Sequence, residues 1–290
     1  MSKCNTIANR GMAASMLRLL LCPKLTVACI YAIGTIISKF FILQYRAAMN
    51  PKKHKITNVE HPLDIFIPFD PHHTEIYLDF SPFWVRTQAF LIENFCKSAT
   101  NLSKEFILSM AKLYVFAAQI YKKNFSTTRR PKLNSECPPQ LKMVHTVDPH
   151  LMCVPSLHIM VIVWTYRKMQ FIMSALGADK EYEDQLQGLK LHAIAIAESV
   201  LYVKQHSINC ISAALYTLYC LDPVVVPKNE ALDFLDCLFK NASDIAANKR
   251  QEIITYMKNL YCTFINEREL NEDWRKPILD FLENYTSGHT

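Results

Sequence analysis

Glycine is scarce in this 290-residue chain, and its scarcity excludes two common kinds of phosphate site. The sequence has five glycines against fourteen prolines. A dinucleotide-binding fold and a P-loop both need glycines at fixed spacing, where the backbone approaches the phosphates. Neither spacing occurs, so we exclude both nucleotide-binding classes.

Paired cysteine motifs are missing as well. The ten cysteines form neither a CxxC pair nor a spacing typical of zinc sites. Several of them, such as Cys29, Cys153 and Cys220, lie in apolar runs, where a thiol acts as a small hydrophobic group. We therefore expect mostly free thiols, and neither a disulfide framework nor a metal site.

A strong charge of one sign is the third feature that the chain lacks. The net charge is +6 and the basic residues are scattered, which does not indicate a nucleic-acid partner. Half of the residues are hydrophobic and a fifth are charged. That composition fits either a soluble globule or a membrane protein with polar loops.

One long apolar run is present near the beginning of the sequence. Residues Leu25 to Leu43 form a run of 19 residues in which Lys39 is the only charge, a length that suits a bilayer crossing. A cleaved signal peptide is the alternative, but no small-x-small cleavage site ends the run. We therefore assign residues 1–24 to a cytoplasmic N-terminal segment.

Five further apolar segments bring the predicted spans to six, and residues 25–226 form a predicted membrane-embedded domain. The segments are 76–92, 106–120, 152–175, 189–203 and 208–226. With the N-terminus inside, the basic residues place residues 121–150 and the turn at His206 on the outer face. The predicted fold is all-α, a six-helix transmembrane bundle.

Residues 227–290 differ from the rest in composition. Apolar residues recur there at helical spacing, as in Ile253, Ile254, Met257, Tyr261 and Phe264. The segment is too polar to cross a bilayer. We predict an amphipathic helical cytoplasmic tail, whose partner the sequence does not identify.

Three polar clusters at the edges of apolar segments suggest a phosphate site. Lys123 and Arg130 could hold phosphoryl oxygens, although an ordinary basic loop beside lipid headgroups has the same composition. His158 follows Pro155-Ser156 at a predicted helix start, where an anion could bind, but a capped helix with an interfacial histidine fits equally.

The third cluster ends at His206, between two apolar segments. A neutral imidazole there could attack phosphorus, and such a ring usually needs an acceptor that fixes its tautomer. The residue four positions on, which shares its face on a helix, is Cys210, a weak acceptor. The other histidines, including His145 and His150, are expected to be surface or packing residues.

Together the clusters carry a family resemblance. Lys123-x6-Arg130-Pro131, Pro155-Ser156-Leu157-His158 and Ser199-x6-His206 resemble, in order and spacing, the three motifs of the type 2 phosphatidic acid phosphatase superfamily. The Ser-Leu-His and Lys-Gln-His forms look like its branch of lipid phosphatases and inositol-phosphosphingolipid-synthase-like enzymes. The resemblance covers about residues 25–226 and leaves the tail out.

The resemblance implies a metal-independent lipid phosphatase or phosphotransferase, without a cofactor, in a multi-pass membrane protein. The site would lie on the extracytoplasmic face and act on a lipid phosphate or diphosphate through a phosphohistidine. His206 would be the nucleophile and His158 the general acid. Lys123, Arg130 and Ser156 would hold the phosphoryl group.

The chain departs from the family pattern at two positions. Val200 stands where the family often has arginine, and Lys204 is expected to compensate by binding phosphate. Cys210 stands where the family has the aspartate that orients the nucleophile, and its loss would slow the reaction on the order of 10⁴-fold by analogy with a serine protease triad. A catalytically inactive membrane protein that still binds lipid phosphate is therefore the alternative function. A soluble helical interaction protein is a third, because charges interrupt several predicted spans.

Overall fold

A computed structural model describes residues 11–286 of the chain, except for the side chain of Cys96. Residues 1–10 of the predicted N-terminal segment and residues 287–290 of the predicted tail therefore lie outside the described residues. The described part is predominantly helical, so the all-α prediction is confirmed at this level. The helices are α1 Met12–Leu20, α2 Pro23–Ile36, α3 Ile42–Met49, α4 Thr74–Leu78, α5 Phe80–Tyr121, α6 Pro139–Val147, α7 Leu157–Ala175, α8 Glu183–Tyr202, α9 Ile208–Leu221, α10 Lys228–Cys237, α11 Ala247–Glu269 and α12 Lys276–Asn284.

The predicted first span is an apolar helix that faces outward. A π-helical turn, Ile37–Phe41, joins α2 to α3, so that helix runs without a break over Pro23–Met49. Its mean hydropathy is 1.9, and only 28% of its most apolar window is buried, unlike the core helix of a soluble protein. Among the described residues it is the one helix long and apolar enough to cross a membrane.

Two segments that the sequence predicts as separate spans, 76–92 and 106–120, belong mostly to one helix. α5 continues through the polar stretch between them. The whole helix has 42 residues and is about 63 Å long. That stretch contains neither proline nor glycine, so nothing in it ends a helix. The prediction of two separate helices is therefore wrong.

α9 lies at the centre of the helical body, packed against α7, α5 and α11. It has 14 residues and is buried over Ile208–Leu218, and its length of about 21 Å is shorter than the hydrocarbon core of a bilayer. The predicted tail covers it. Ser212 Oγ donates to the carbonyl of Met257 at 2.9 Å, and Tyr216 OH donates to the carbonyl of Trp274 at 2.6 Å. These contacts cross the predicted domain boundary at residue 226.

A small parallel sheet joins distant parts of the chain beside the helices. Strand β1, Ile56–Asn58, pairs with β2, Phe125–Thr127, and Ser126 of β2 also bridges to Met152. The helix α12 packs on the same sheet, because Thr57 Oγ1 donates to the carbonyl of Leu282 at 3.0 Å. The sheet therefore fixes the loop that leads into α7.

Candidate active site

The histidines of the second and third motifs meet in the structure. His206 Nε2 lies 3.3 Å from His158 Nδ1 and 3.2 Å from Ser156 Oγ. The two histidines are 48 positions apart in the chain, and α7 and α9 bring them together. The prediction that these three residues belong to one site is consistent with this geometry, whereas their chemical roles stay predictions.

Helix caps position both histidines. Ser156 is the N-cap of α7, and its Oγ accepts from the N–H of Ile159 at 3.4 Å. Ser207 is the N-cap of α9 and accepts from the N–H of Asn209. The two helix starts are tied together, because the N–H of Ser156 donates to the carbonyl of Cys210 at 3.3 Å. Each histidine is therefore held next to a capped helix N-terminus.

A short 3₁₀ helix, Pro62–Phe66, secures the loop that carries His206. The Asp64 carboxylate accepts from the N–H of Ile208 at 3.0 Å, and the Asp64 carbonyl accepts from Lys204 Nζ at 2.7 Å. Lys204 Nζ also donates to the carbonyl of Ile67. The ammonium of Lys204, predicted to bind phosphate, therefore anchors the loop in this structure.

Aromatic rings enclose His158. The ring of Tyr77 stacks on it with centroids 4.8 Å apart, and the ring of Phe80 lies 4.0 Å away at a tilt of 49°. These rings come from α4 and from the first turn of α5. They limit the rotation of the imidazole and shield one side of it from water.

A cavity of about 160 Å³ opens beside the two histidines. One part of its wall is polar and includes His150 and Gln205 with the histidine pair. Another part is apolar and belongs to the candidate span, through Ile36, Phe40 and Phe41. The cavity thus joins the polar centre to the helix that is suited to a membrane.

The predicted cations do not line this cavity. None of the described residues in its wall is a lysine or an arginine. Lys123 is exposed at the surface after α5. Arg130 lines a separate pocket together with Lys204. The structure brings the histidines together but leaves the three cations outside their cavity.

Asp148 is the carboxylate in the cavity wall, and it pairs with Arg130 at 2.5 Å between Oδ2 and the guanidinium. Burial alone would raise the pKa of Asp148. Hydrogen bonding to His150 and the charge of Arg130 outweigh burial and hold that pKa below its usual range. An ionised carboxylate in the cavity wall therefore pairs with an arginine that is not part of that wall.

Cys210, the predicted orienting position, contacts the site through its backbone carbonyl, which accepts from the N–H of Ser156. Its thiol has a different partner and accepts from the N–H of Ser207 at 3.4 Å, as part of a capping box. His206 Nδ1 is buried without a hydrogen-bond partner among residues 11–286, although the backbone of Cys153 is near enough to influence the ring. The family's orienting contact is therefore not made by a side chain at position 210.

Burial favours the neutral form of His206. It lowers the pKa of this ring well below the ordinary value of 6.5. The nearby rings of His158 and His150 act in the same direction, and the charge of Asp148 opposes them. A neutral ring retains the lone pair that a nucleophile needs.

Asp148, His150 and Gln44 are among the polar residues of the cavity wall that sequence reasoning missed. His150, predicted to be a surface or packing residue, is buried and contacts Thr128 Oγ1 at 2.7 Å and Cys153 Sγ at 3.6 Å. The one signal was the Asp-Pro-His turn a few residues before the second motif. Gln44 directly follows the apolar run of residues 25–43 and gave no signal.

Acid is expected to destabilise the fold. Burial lowers the pKa of His61 and of His145 to about 4 in the folded chain, from an ordinary value of 6.5. Between these values the unfolded chain binds more protons, so their contribution is complete above about pH 6.5 and is lost as the pH falls toward 4. Urea unfolding at about pH 7 and about pH 5 measures the difference.

The variant His61→Asn provides the control for this prediction. His61 Nδ1 accepts from the N–H of Leu63 at 3.1 Å, as the N-cap of the 3₁₀ helix. Asparagine can make the same cap but does not titrate. The variant should show a smaller loss of stability in acid, and an unchanged loss would contradict a role for this ring.

Comparisons with known proteins do not assign a family or a function to this site. No protein-family model, curated protein or solved structure matches the chain.

Proposed function

We propose that this protein is a membrane-attached lipid phosphate phosphohydrolase or phosphotransferase that works through a phosphohistidine on His206. One observation carries the proposal: His206 Nε2 lies within 3.3 Å of His158 Nδ1 and of Ser156 Oγ. The resemblance of three motifs to the type 2 phosphatidic acid phosphatase superfamily supports it. So does the apolar wall of the cavity, which suits the hydrocarbon part of a lipid.

The reaction would proceed in two steps. First, the lone pair of His206 Nε2 attacks phosphorus, the bond from phosphorus to the lipid oxygen breaks, and a protonated His158 gives its proton to the leaving oxygen. Then water or an acceptor alcohol attacks the phosphohistidine, His158 takes its proton, and His206 is regenerated. Burial lowers the pKa of His158 to about 4 in the ligand-free chain, and a phosphoryl dianion beside the ring would raise that pKa and favour the protonated form that the first step requires.

The proposal includes one membrane crossing, by Pro23–Met49. The resemblance implies a six-helix transmembrane bundle, but α9 is too short for a crossing and is covered by α11, which carries charges along its length. We therefore place the remaining predicted segments in a helical body beside the membrane. With the N-terminus inside, that body and its cavity lie on the extracytoplasmic side, and so does the segment predicted as a cytoplasmic tail, because it packs on α9.

Phosphate release by the detergent-solubilised full chain tests this function. The substrates are phosphatidate, a prenyl diphosphate and a sphingoid phosphate, assayed without added metal. We expect release from at least one of them, and recovery of the chain with membranes after alkaline extraction. Absence of release from all three would contradict the proposal.

A second function, binding of lipid phosphate without turnover, is favoured by a different observation. Among the described residues, neither a cation nor an orienting carboxylate contacts His206. If the chain retains a lipid phosphate but releases no phosphate from it, this second function replaces the first.

A further inference from the structure

We propose that Asp148 sets the affinity of this site for phosphate. Its carboxylate pairs with the guanidinium of Arg130 in the resting protein, and a phosphoryl group binds to Arg130 by displacing that carboxylate. The inference rests on the proposed function for the identity of the ligand. It adds a residue that none of the three motifs contains.

The contacts of Arg130 show why the two anions would compete. One terminal nitrogen, Nη2, contacts the Asp148 carboxylate at 2.5 Å, and the other, Nη1, contacts the Asp148 carbonyl at 2.9 Å and the His145 carbonyl at 3.5 Å. Only Nε is buried without a partner in the described part of the chain. A phosphate that is held by two parallel N–H groups therefore requires the release of Asp148.

Asp148 is placed where a phosphoryl group would meet Arg130. It lines the cavity that holds His158 and His206, whereas its partner Arg130 lines a separate pocket. Oδ2 of Asp148 contacts the guanidinium with a charged oxygen, and a phosphate oxygen can make the same contact. Release of Asp148 would free the guanidinium of Arg130 to pair with a phosphoryl group bound at the histidines.

The displaced carboxylate would keep two other partners. Gln44 Nε2 donates to Asp148 Oδ1 at 2.7 Å, and the N–H of His150 donates to the same oxygen at 3.1 Å. Both donors are neutral. Because Gln44 belongs to the candidate span, the position of Asp148 depends on the helix that attaches the protein to the membrane.

Equilibrium binding of orthovanadate to the solubilised full chain, measured by titration calorimetry, tests the inference without turnover. Asp148→Asn removes the charge while it keeps the shape, and should bind vanadate about tenfold more tightly than the wild type. Asp148→Glu keeps the charge and should show no gain. Arg130→Gln in the Asp148→Asn background should cancel the gain.

Two variants keep the result interpretable. Glu230→Gln removes a carboxylate that pairs with Arg167 at 3.1 Å, away from the cavity, and should leave vanadate binding unchanged. Asp148→Ser removes the same charge with a smaller side chain, which repeats the test if the asparagine packs badly.

Vanadate binding that is unchanged or weaker in Asp148→Asn and Asp148→Ser overturns the inference, since Asp148 would then position Arg130. Absence of binding by the wild type and by both variants overturns it too. Phosphate release, measured in parallel, separates the two proposals. Tighter binding without release removes the proposed function alone, and release without tighter binding removes this inference alone.

Discussion

Replacing His206 by alanine is expected to abolish phosphate release, with a fall in kcat on the order of 10⁴-fold or more. The physical reason is that the variant has no lone pair at the position of Nε2, 3.3 Å from His158 Nδ1, and cannot form the covalent intermediate. Incubation with a lipid labelled in its phosphate should leave the label on the wild-type chain. That bond should be labile in acid and absent from the variant.

The control for this experiment is His72→Ala. His72 is exposed in the turn before α4, away from the cavity wall. Its loss should leave kcat and labelling unchanged. If His206→Ala released phosphate at the wild-type rate, the phosphohistidine mechanism would be wrong, whatever the fate of the label.

Introducing at position 210 the aspartate of the superfamily that the motifs resemble should damage the fold. Cys210→Asp is expected to lower the free energy of unfolding by about 3–5 kcal/mol, because an unpaired carboxylate would be buried at a position that is 0% exposed. It would also disturb the capping box at the start of α9, where the thiol accepts from the N–H of Ser207. Urea unfolding of the purified variant measures this loss.

Two further substitutions separate charge from position. Cys210→Ser is neutral and can still accept from Ser207, so it should cost far less stability. Cys262→Asp places the same charge on α11 at a half-buried site, and should also be tolerated better. A Cys210→Asp variant that is as stable as the wild type and turns over faster would show that its carboxylate reaches His206 Nδ1. The expectation of damage would then be wrong.

Local patterns allowed the all-α class and some of the helices to be predicted. The spacing of Ile253, Met257, Tyr261 and Phe264 predicted a helix with one buried face, and these residues are buried in α11. The apolar run from residue 25 lies in the outward-facing helix Pro23–Met49. In both cases the spacing or the length of the apolar pattern reflects the geometry of a single helix, so it can be recognised without knowledge of distant contacts.

What could not be predicted depends on contacts between distant segments. An apolar run of fewer than 20 residues has the same composition whether lipid or α11 covers it, so α9 could not be told from a span. The pairing of Arg130 with Asp148 depends on how α6 folds back toward β2, which no local pattern encodes. The meeting of His158 and His206 was suggested by motif order and spacing, because neither histidine alone is distinctive.

The packing of α12 has a consequence for synthesis of the protein. Lys55, Thr57 and Glu60, around β1, contact Glu283, Leu282 and Tyr285, more than 220 positions away. Contacts of such long separation form late, since the intervening chain must first be ordered. While the ribosome is still translating residues 227–275, α9 and the edge of β1 lack their cover. We therefore expect the nascent chain to need a chaperone until α12 emerges, and a stop codon between residues 270 and 282, which removes the contacts of α12 with β1, to cause degradation of the truncated chain.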